Sequence, residues 1–152
     1  MMKIITLCIL LFITLGCNKN DDSTSFSPQT ISPTLIYNGG YGNFNYNPTL
    51  HGEVITSQSD WDNFRTNYWL YGFQINEANN INFNNEMLLL AFDAPRTTTS
   101  GTLEVNFDSI IENQNNITAH LSISGQAGLG QMPSRICHFV KIPKSNKPIV
   151  FQ

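Results

Sequence analysis

After Lys3 the chain runs through twelve almost uniformly apolar residues, Ile4 to Leu15, before Gly16 and Cys17. As a helix this run rises only ~18 Å, short of the ~30 Å hydrocarbon core, so it has the length of a secretory signal and not of a permanent span. From Asn18 to about Pro33 the pattern collapses into Ser, Thr, Asn, Asp and Pro with hardly any large apolar side chain, the composition of a flexible tether. Between Tyr37 and Pro48, aromatics alternate with glycines and asparagines, which predicts a turn or an irregular strand, with Tyr37, Tyr41, Phe44 and Tyr46 packing onto the edge of the core or forming an exposed binding patch. His51 to Thr56 reads as a short strand. Ser57, three residues before Asp60, then offers a helix start, because the hydroxyl can accept from an orphan amide while the carboxylate favours the positive helix end. Trp61, Phe64, Tyr68 and Trp69 continue at helical spacing and predict one apolar helix face laid on a sheet.

The second half changes period. Met87 to Phe92 is apolar on both faces and predicts a central strand. Leu103, Val105 and Phe107 alternate with Glu104, Asn106 and Asp108; after a turn at 113–116, Ile117, Ala119, Leu121 and Ile123 alternate with Thr118, His120 and Ser122, so two antiparallel strands are expected. A last strand runs from Arg135 to Ile142 and is closed by Pro143, which cannot supply a ladder donor. The expected class is therefore α+β, an antiparallel β-sheet of about five to six strands with one packed α-helix.

Composition sharpens this picture. With 152 residues, 41% of them apolar and only 12% charged, the chain is too apolar for disorder and too short for two ordinary domains. Nineteen asparagines replace the missing charge. A net charge of −3 argues against a nucleic-acid partner, since neutralising phosphates needs a basic surface.

Thr14-Leu15-Gly16-Cys17 resembles a permissive bacterial lipobox, in which cleavage precedes the cysteine and its sulfur is acylated. An ordinary signal peptide with a chance cysteine is the alternative. Residues 1–16 are thus expected to be a lipoprotein signal peptide, 17–34 a lipidated Cys17 and tether, and 35–152 the folded domain. Several acyl chains, at ~0.8 kcal/mol per buried methylene, hold a protein on a membrane where one chain would be marginal. Asn18 to Asp22 resembles the short acidic signals that carry some outer-membrane lipoproteins to the cell surface, so the expected location is the cell envelope, as an outer-membrane lipoprotein that is exposed at the surface if that signal is read.

With Cys8 removed and Cys17 acylated, Cys137 stands alone and no intrachain disulfide can form. It neighbours His138 on an expected strand, where adjacent side chains point to opposite faces, so the histidine is badly placed to deprotonate it. His51, His120 and His138 lie on different segments without metal-ligand spacing, and no Gly-x-Ser-x-Gly elbow is present. The glycines of Gly125 to Gly130 lack the Lys-Ser/Thr of a phosphate loop and fit a connection between strands. The expectation is a protein without catalytic residues, metal or cofactor. The loops 93–101 and 125–130 each join neighbouring strands and are expected at one end of the sheet, where binding modules present recognition surfaces.

From about Glu53 to Phe151 the order of segments resembles the PrcB family of protease complex subunits. The resemblance rests on Val54-Ile55-Thr56-Ser57 with Trp61, on Ile81-Asn82-Phe83 with Met87 to Leu90, and above all on the terminal run His138-Phe139-Val140-Lys141-Ile142-Pro143-Lys144-Ser145-Asn146-Lys147-Pro148-Ile149-Val150-Phe151. It implies a non-enzymatic lipoprotein that helps assemble or stabilise a surface protease complex. Members of that family often carry Thr-Gly-Gly-Tyr in the first polar loop, where this chain has Thr98-Thr99-Ser100-Gly101-Thr102. The alternative is a protease inhibitor of chagasin-like type, which also presents Thr/Gly-rich loops.

Candidate partner-binding residues are Arg96, Thr98, Thr99 and Gly101 in the first loop, Gly128 and Gly130 in the second, and the cations Arg135, Lys141 and Lys144. Together with Lys147, these cations place four of the seven basic residues left after cleavage within thirteen positions. Such a group would meet an acidic partner or lipid headgroups, or else sit solvated on an edge strand, where lysine discourages aggregation. The expected partners are the membrane, through acylated Cys17, and a protein, with a protease the first candidate.

Overall fold

Six consecutive residues, Met87 to Phe92, are buried, and the reason is a layer on each side of them. The structure, a computed structural model, describes residues 25–43, 49–70, 81–94, 96, 101–129 and 135–152. The chain forms β1 (Gln29–Thr30), β2 (Thr34–Asn43), β3 (His51–Ile55), α1 (Gln58–Asn67), β4 (Tyr68–Leu70), β5 (Glu86–Phe92), β6 (Glu104–Glu112), β7 (Ile117–Ser124), β8 (Ile136–Pro143) and β9 (Ile149–Phe151). The class is α+β, with one helix packed on a sheet. The strands divide between two sheets, a five-stranded one ordered β3-β5-β8-β2-β4 and a four-stranded one ordered β1-β6-β7-β9. Among the described strands, the pairings are antiparallel except that of β7 with β9.

Because side chains alternate along a strand, β5 and β8 serve two cores at once. Leu88, Leu90, Phe92, Cys137 and Phe139 face the helix and meet Trp61 and Phe64. Met87, Leu89, Val140 and Ile142 face the second sheet and meet Ile110, Ile117 and Ala119. Phe139 sits at the middle of the helix-side core, with ring centroids 5.4 Å from Phe92, 5.6 Å from Phe64 and 5.6 Å from Tyr37. The order helix, five-stranded sheet, four-stranded sheet makes three layers.

The helix starts where its cap predicts. The Asp60 amide donates to Ser57 Oγ at 3.1 Å, the Ser57 hydroxyl donates to the Asp60 carboxylate at 2.7 Å, and the Trp61 amide donates to the Ser57 carbonyl at 3.1 Å. It ends earlier than the aromatic spacing predicts. Tyr68 and Trp69 belong to β4, which pairs with the far end of β2. Thr66 and Asn67 both donate side-chain hydrogen bonds to the Asn63 carbonyl, giving the last turn a competitor to further helix, and strand pairing takes the aromatics that follow.

Of the run expected as a turn or irregular strand, Tyr37 to Asn43 belong to the ten-residue β2, a strand made irregular by one register shift between Leu35 and Tyr37, and residues 44–48 lie outside those described. Its glycines serve close approach: the Tyr37 hydroxyl folds back to donate to the Gly40 carbonyl at 2.6 Å, and a Cβ on Gly39 would lie 2.7 Å from the Tyr37 hydroxyl oxygen. Tyr37 is buried on the core as expected; the side chains of Tyr41, Phe44 and Tyr46 lie outside those described.

The predicted hairpin is present as β6 and β7, closed at Asn113–Asn116 by an amide donating to the Asn116 carbonyl at 2.8 Å. A bulge between Phe107 and Ser109 shifts the buried phase from Val105 to Ile110, so β6 runs on to Glu112.

Two short strands depart from the expected layout. β1 lies inside the stretch expected as tether: Gln29 and Thr30 pair with Glu112 and Ile111, so ordered pairing begins before residue 35. β9, too short to show a period of its own, adds to β7 after Pro148, and the Phe151 ring covers Gly52 so closely that any side chain there would strike it.

Candidate functional site

The strands give the molecule two ends. β5 and β6 are joined through residues 93–103, and β7 and β8 through 125–135, at one end; the turn 113–116 and the segment 144–148 lie at the other. As expected, the two long connections share an end, and the contacts between them are direct. The Thr102 amide donates to the Gln126 carbonyl at 3.0 Å, and the Gln126 amide donates back to Thr102 Oγ1 at 3.0 Å. Glycine makes this reciprocal pair sterically possible. Gly101 has φ +58°, and a Cβ there would lie 2.5 Å from both the Gln126 carbonyl oxygen and the Gly128 nitrogen; Gly125 has φ +89°, and its Cβ would strike the Thr102 carbonyl.

A second fastening lies beneath. Asp93, 2% exposed, follows directly on β5, and its amide donates to the Ile136 carbonyl at the start of β8 at 3.0 Å. Its carboxylate receives a forked pair from Arg96, with Nε at 2.6 Å and Nη2 at 3.2 Å. A buried carboxylate needs such a partner, and the two parallel bonds fix the direction in which the chain leaves the sheet. Beyond the junction, Leu129 is fully exposed.

Of the residues singled out from sequence, Arg96, Gly101, Gly128 and Arg135 are at this end. Thr98, Thr99 and Gly130 fall outside the described residues, as do Cys17 and the signal peptide. Lys141 and Lys144 belong to the opposite end. The expectation that the cations line an edge strand is corrected by the topology, because β8 is paired on both sides. Lys141 Nζ lies 2.8 Å from Glu86 Oε1; Lys144 Nζ donates to the carbonyls of Phe83 at 2.6 Å and Thr56 at 3.2 Å; Lys147 Nζ lies 2.8 Å from Glu112 Oε1 and donates to the Asn113 carbonyl at 2.7 Å. These lysines tie elements of the fold together. The sequence places Asp93, Thr102, Gly125 and Leu129 only as members of polar loops and gives none of them a role. The available signal was a carboxylate immediately after an all-buried strand, which needs a nearby cation.

Glu86 illustrates the charge at the lysine end. The hydrogen bond from the Lys141 ammonium, and then that from the Asn82 amide, hold its carboxyl below the usual glutamate range, against an opposing effect of burial. The stabilisation is present above the unfolded-state pKa, ~4.3, and is lost as pH falls through the lower folded-state value. Glu86→Gln is therefore expected to lower stability at neutral pH by about 0.5 kcal/mol, as a partly exposed ion pair does, and the difference from the parent chain should vanish in strong acid when urea melts are compared across pH. The pair lines a shallow pocket of about 350 Å³ with Ser32, Thr34 and Pro143, where both charges are already spent on each other.

The thiol of Cys137 and the rings of His138 and His51 are engaged within the fold. Cys137 and His138 point to opposite faces of β8: Cys137 is fully buried on the helix side, while His138 Nδ1 lies 2.8 Å from the Val105 carbonyl and its ring meets Phe107 edge-on in the second sheet. Burial pushes the Cys137 thiol well above the ordinary cysteine range, so a thiolate does not form at neutral pH. The folded protein is expected to resist iodoacetamide at Cys137 and to react once denatured, read by intact mass. His51 Nδ1 lies 2.8 Å from the Thr49 carbonyl, its ring stacks on Phe92, and Nε2 is 3.5 Å from Glu53. Among the described residues, no group of three or more His, Cys, Asp or Glu side chains could hold a metal ion.

No family model matches the chain, and no curated protein and no solved structure matches it either.

Proposed function

We propose that the protein is a non-enzymatic, membrane-anchored interaction subunit of the cell envelope, of the kind the PrcB resemblance implies, and that its glycine-loop end engages a protein partner, a protease first among them. One observation carries this reading. Two connections of different origin are locked side by side by Thr102 and Gln126, on glycines that admit no side chain, with a fully exposed leucine beyond the lock. A rigid pedestal under an exposed apolar side chain suits recognition, because little conformational entropy is lost when the partner closes over it. Arg96, held by Asp93 and still 36% exposed, adds a cation at the same end.

The test is affinity capture from intact cells with the anchored protein. A protease is expected to co-purify, and Leu129→Asp is expected to abolish its recovery while changing stability by no more than about 0.5 kcal/mol, since the side chain makes no packing contact to lose. Recovery of transport or glycan-binding proteins alone would sink the protease-complex reading. The side-by-side loops also favour a second reading, a protease inhibitor of chagasin-like type. Sub-micromolar inhibition of cysteine or serine proteases by the purified protein would establish it in place of the first.

A further inference from the structure

The chain enters the fold at the end opposite the glycine loops. β6 runs from the loop end at Glu104 to the turn end at Glu112, and β1 pairs antiparallel to its final residues, Gln29 with Glu112 and Thr30 with Ile111. The Ile31 amide then donates to the Ile110 carbonyl at 2.8 Å. At Thr34 the chain has crossed to the other sheet, where it pairs with Lys141, again at the turn end. The segment is thus a strap that joins the two sheets at the turn end.

Lys147 fastens the outer end of the strap. Its ammonium stands 4.5 Å from the centroid of the Phe26 ring while also holding Glu112 and the Asn113 carbonyl, so strap, hairpin and C-terminal segment meet at one cation.

From this placement we infer that the strap sets the polarity of the anchored protein: the turn end faces the bilayer and the glycine-loop end faces away from it, toward a protein partner and not toward lipid headgroups. The inference rests on the lipidation of Cys17 proposed above. Nine residue-to-residue steps lead from Cys17 to Phe26, a reach of at most ~32 Å. The nine residues of β6 span about 30 Å. For the loop end to lie on the membrane, the strap end would have to stand a full strand length above it, with the linking residues drawn out almost completely. That arrangement forfeits nearly all of their conformational freedom. With the strap end down, the same residues need not be stretched at all.

The test uses the full acylated chain in phospholipid vesicles containing a headgroup nitroxide lipid. Asn115→Cys at the turn and Ala127→Cys at the loops, both exposed positions, each receive a fluorophore; Cys137 is buried and stays unlabelled. Strong quenching at 115 and little at 127 is expected. Equal quenching, or stronger quenching at 127, would overturn the inference and make the loops a lipid-facing surface. A chain that does not float with vesicles would overturn the anchor reading and the polarity with it, an outcome distinct from floating with the wrong label quenched. The pair Phe26→Ala and Ile31→Pro removes the ring under Lys147 and the donor to Ile110. In a variant whose near-ultraviolet circular dichroism remains native, the contrast between the two labels should shrink; an undiminished contrast would show that the strap does not set it, and the unaltered background decides the polarity even if this variant fails to fold.

Discussion

Phe139→Ala is expected to destabilise the protein by about 4 kcal/mol, which for a folded part of this size lowers the melting temperature by about 15 °C. The ring lies on β8, the central strand of the five-stranded sheet, and its neighbours come from three directions: Tyr37 from β2, Phe92 from β5 and Phe64 from the helix. Truncation removes the transfer free energy of a fully buried ring and leaves a cavity that cannot collapse, because β8 is held on one face by the helix layer and on the other by Val140 and Ile142 packed against the second sheet. Calorimetry or a urea melt reads the effect. A loss below about 1 kcal/mol would mean that the helix and β2 can follow the missing ring, and that the helix layer is loosely attached.

Gly125→Ala is expected to combine two costs. The residue has φ +89°, a conformation in which an L side chain is strained by about 1–2 kcal/mol, and the added carbon would meet the backbone carbonyl of Thr102, which cannot rotate away as a side chain would. A total near 3 kcal/mol follows if the junction holds. If the junction opens, the thermodynamic loss is smaller, but the reciprocal bonds between Thr102 and Gln126 are broken and the loops no longer share a fixed arrangement. Amide hydrogen exchange at Thr102 and Gln126 separates the two outcomes. In either case partner capture is expected to fall well below that of the parent chain. Unchanged capture by a folded Gly125→Ala protein would detach the glycine junction from recognition.

Local pattern identified the elements whose reason is local. Ser57 and Asp60 start a helix because a hydroxyl and a carboxylate at that spacing meet the first free amides whatever the helix later packs on. Met87 to Phe92 is internal to its sheet because only a strand covered on both faces can bury apolar side chains of both parities. The opposite directions of Cys137 and His138 needed no more than the strand period.

Other readings failed where the deciding partner lay far along the chain. Tyr68 and Trp69 fit the helical spacing, yet the free edge of β2 claims them, and Tyr41 to Asn43 are some twenty-five residues distant. Gln29 and Thr30 have the composition of a tether and become a strand only because β6 presents an edge to them. The lysines after Arg135 look like a solvated patch in sequence, and only the fold supplies Glu86, Glu112 and the carbonyls of Phe83 and Thr56 as their partners.

What the sequence determined by itself was the α+β class, the helix cap, the buried strand and the hairpin, since cap, period and turn chemistry act within a few residues of one another. The tertiary structure alone decided that the strands part into two sheets, that Thr102 meets Gln126 over two glycines, and that the chain enters at the end opposite those loops. These depend on pairings between residues far apart in the chain, and no local propensity encodes which edge a short strand will find.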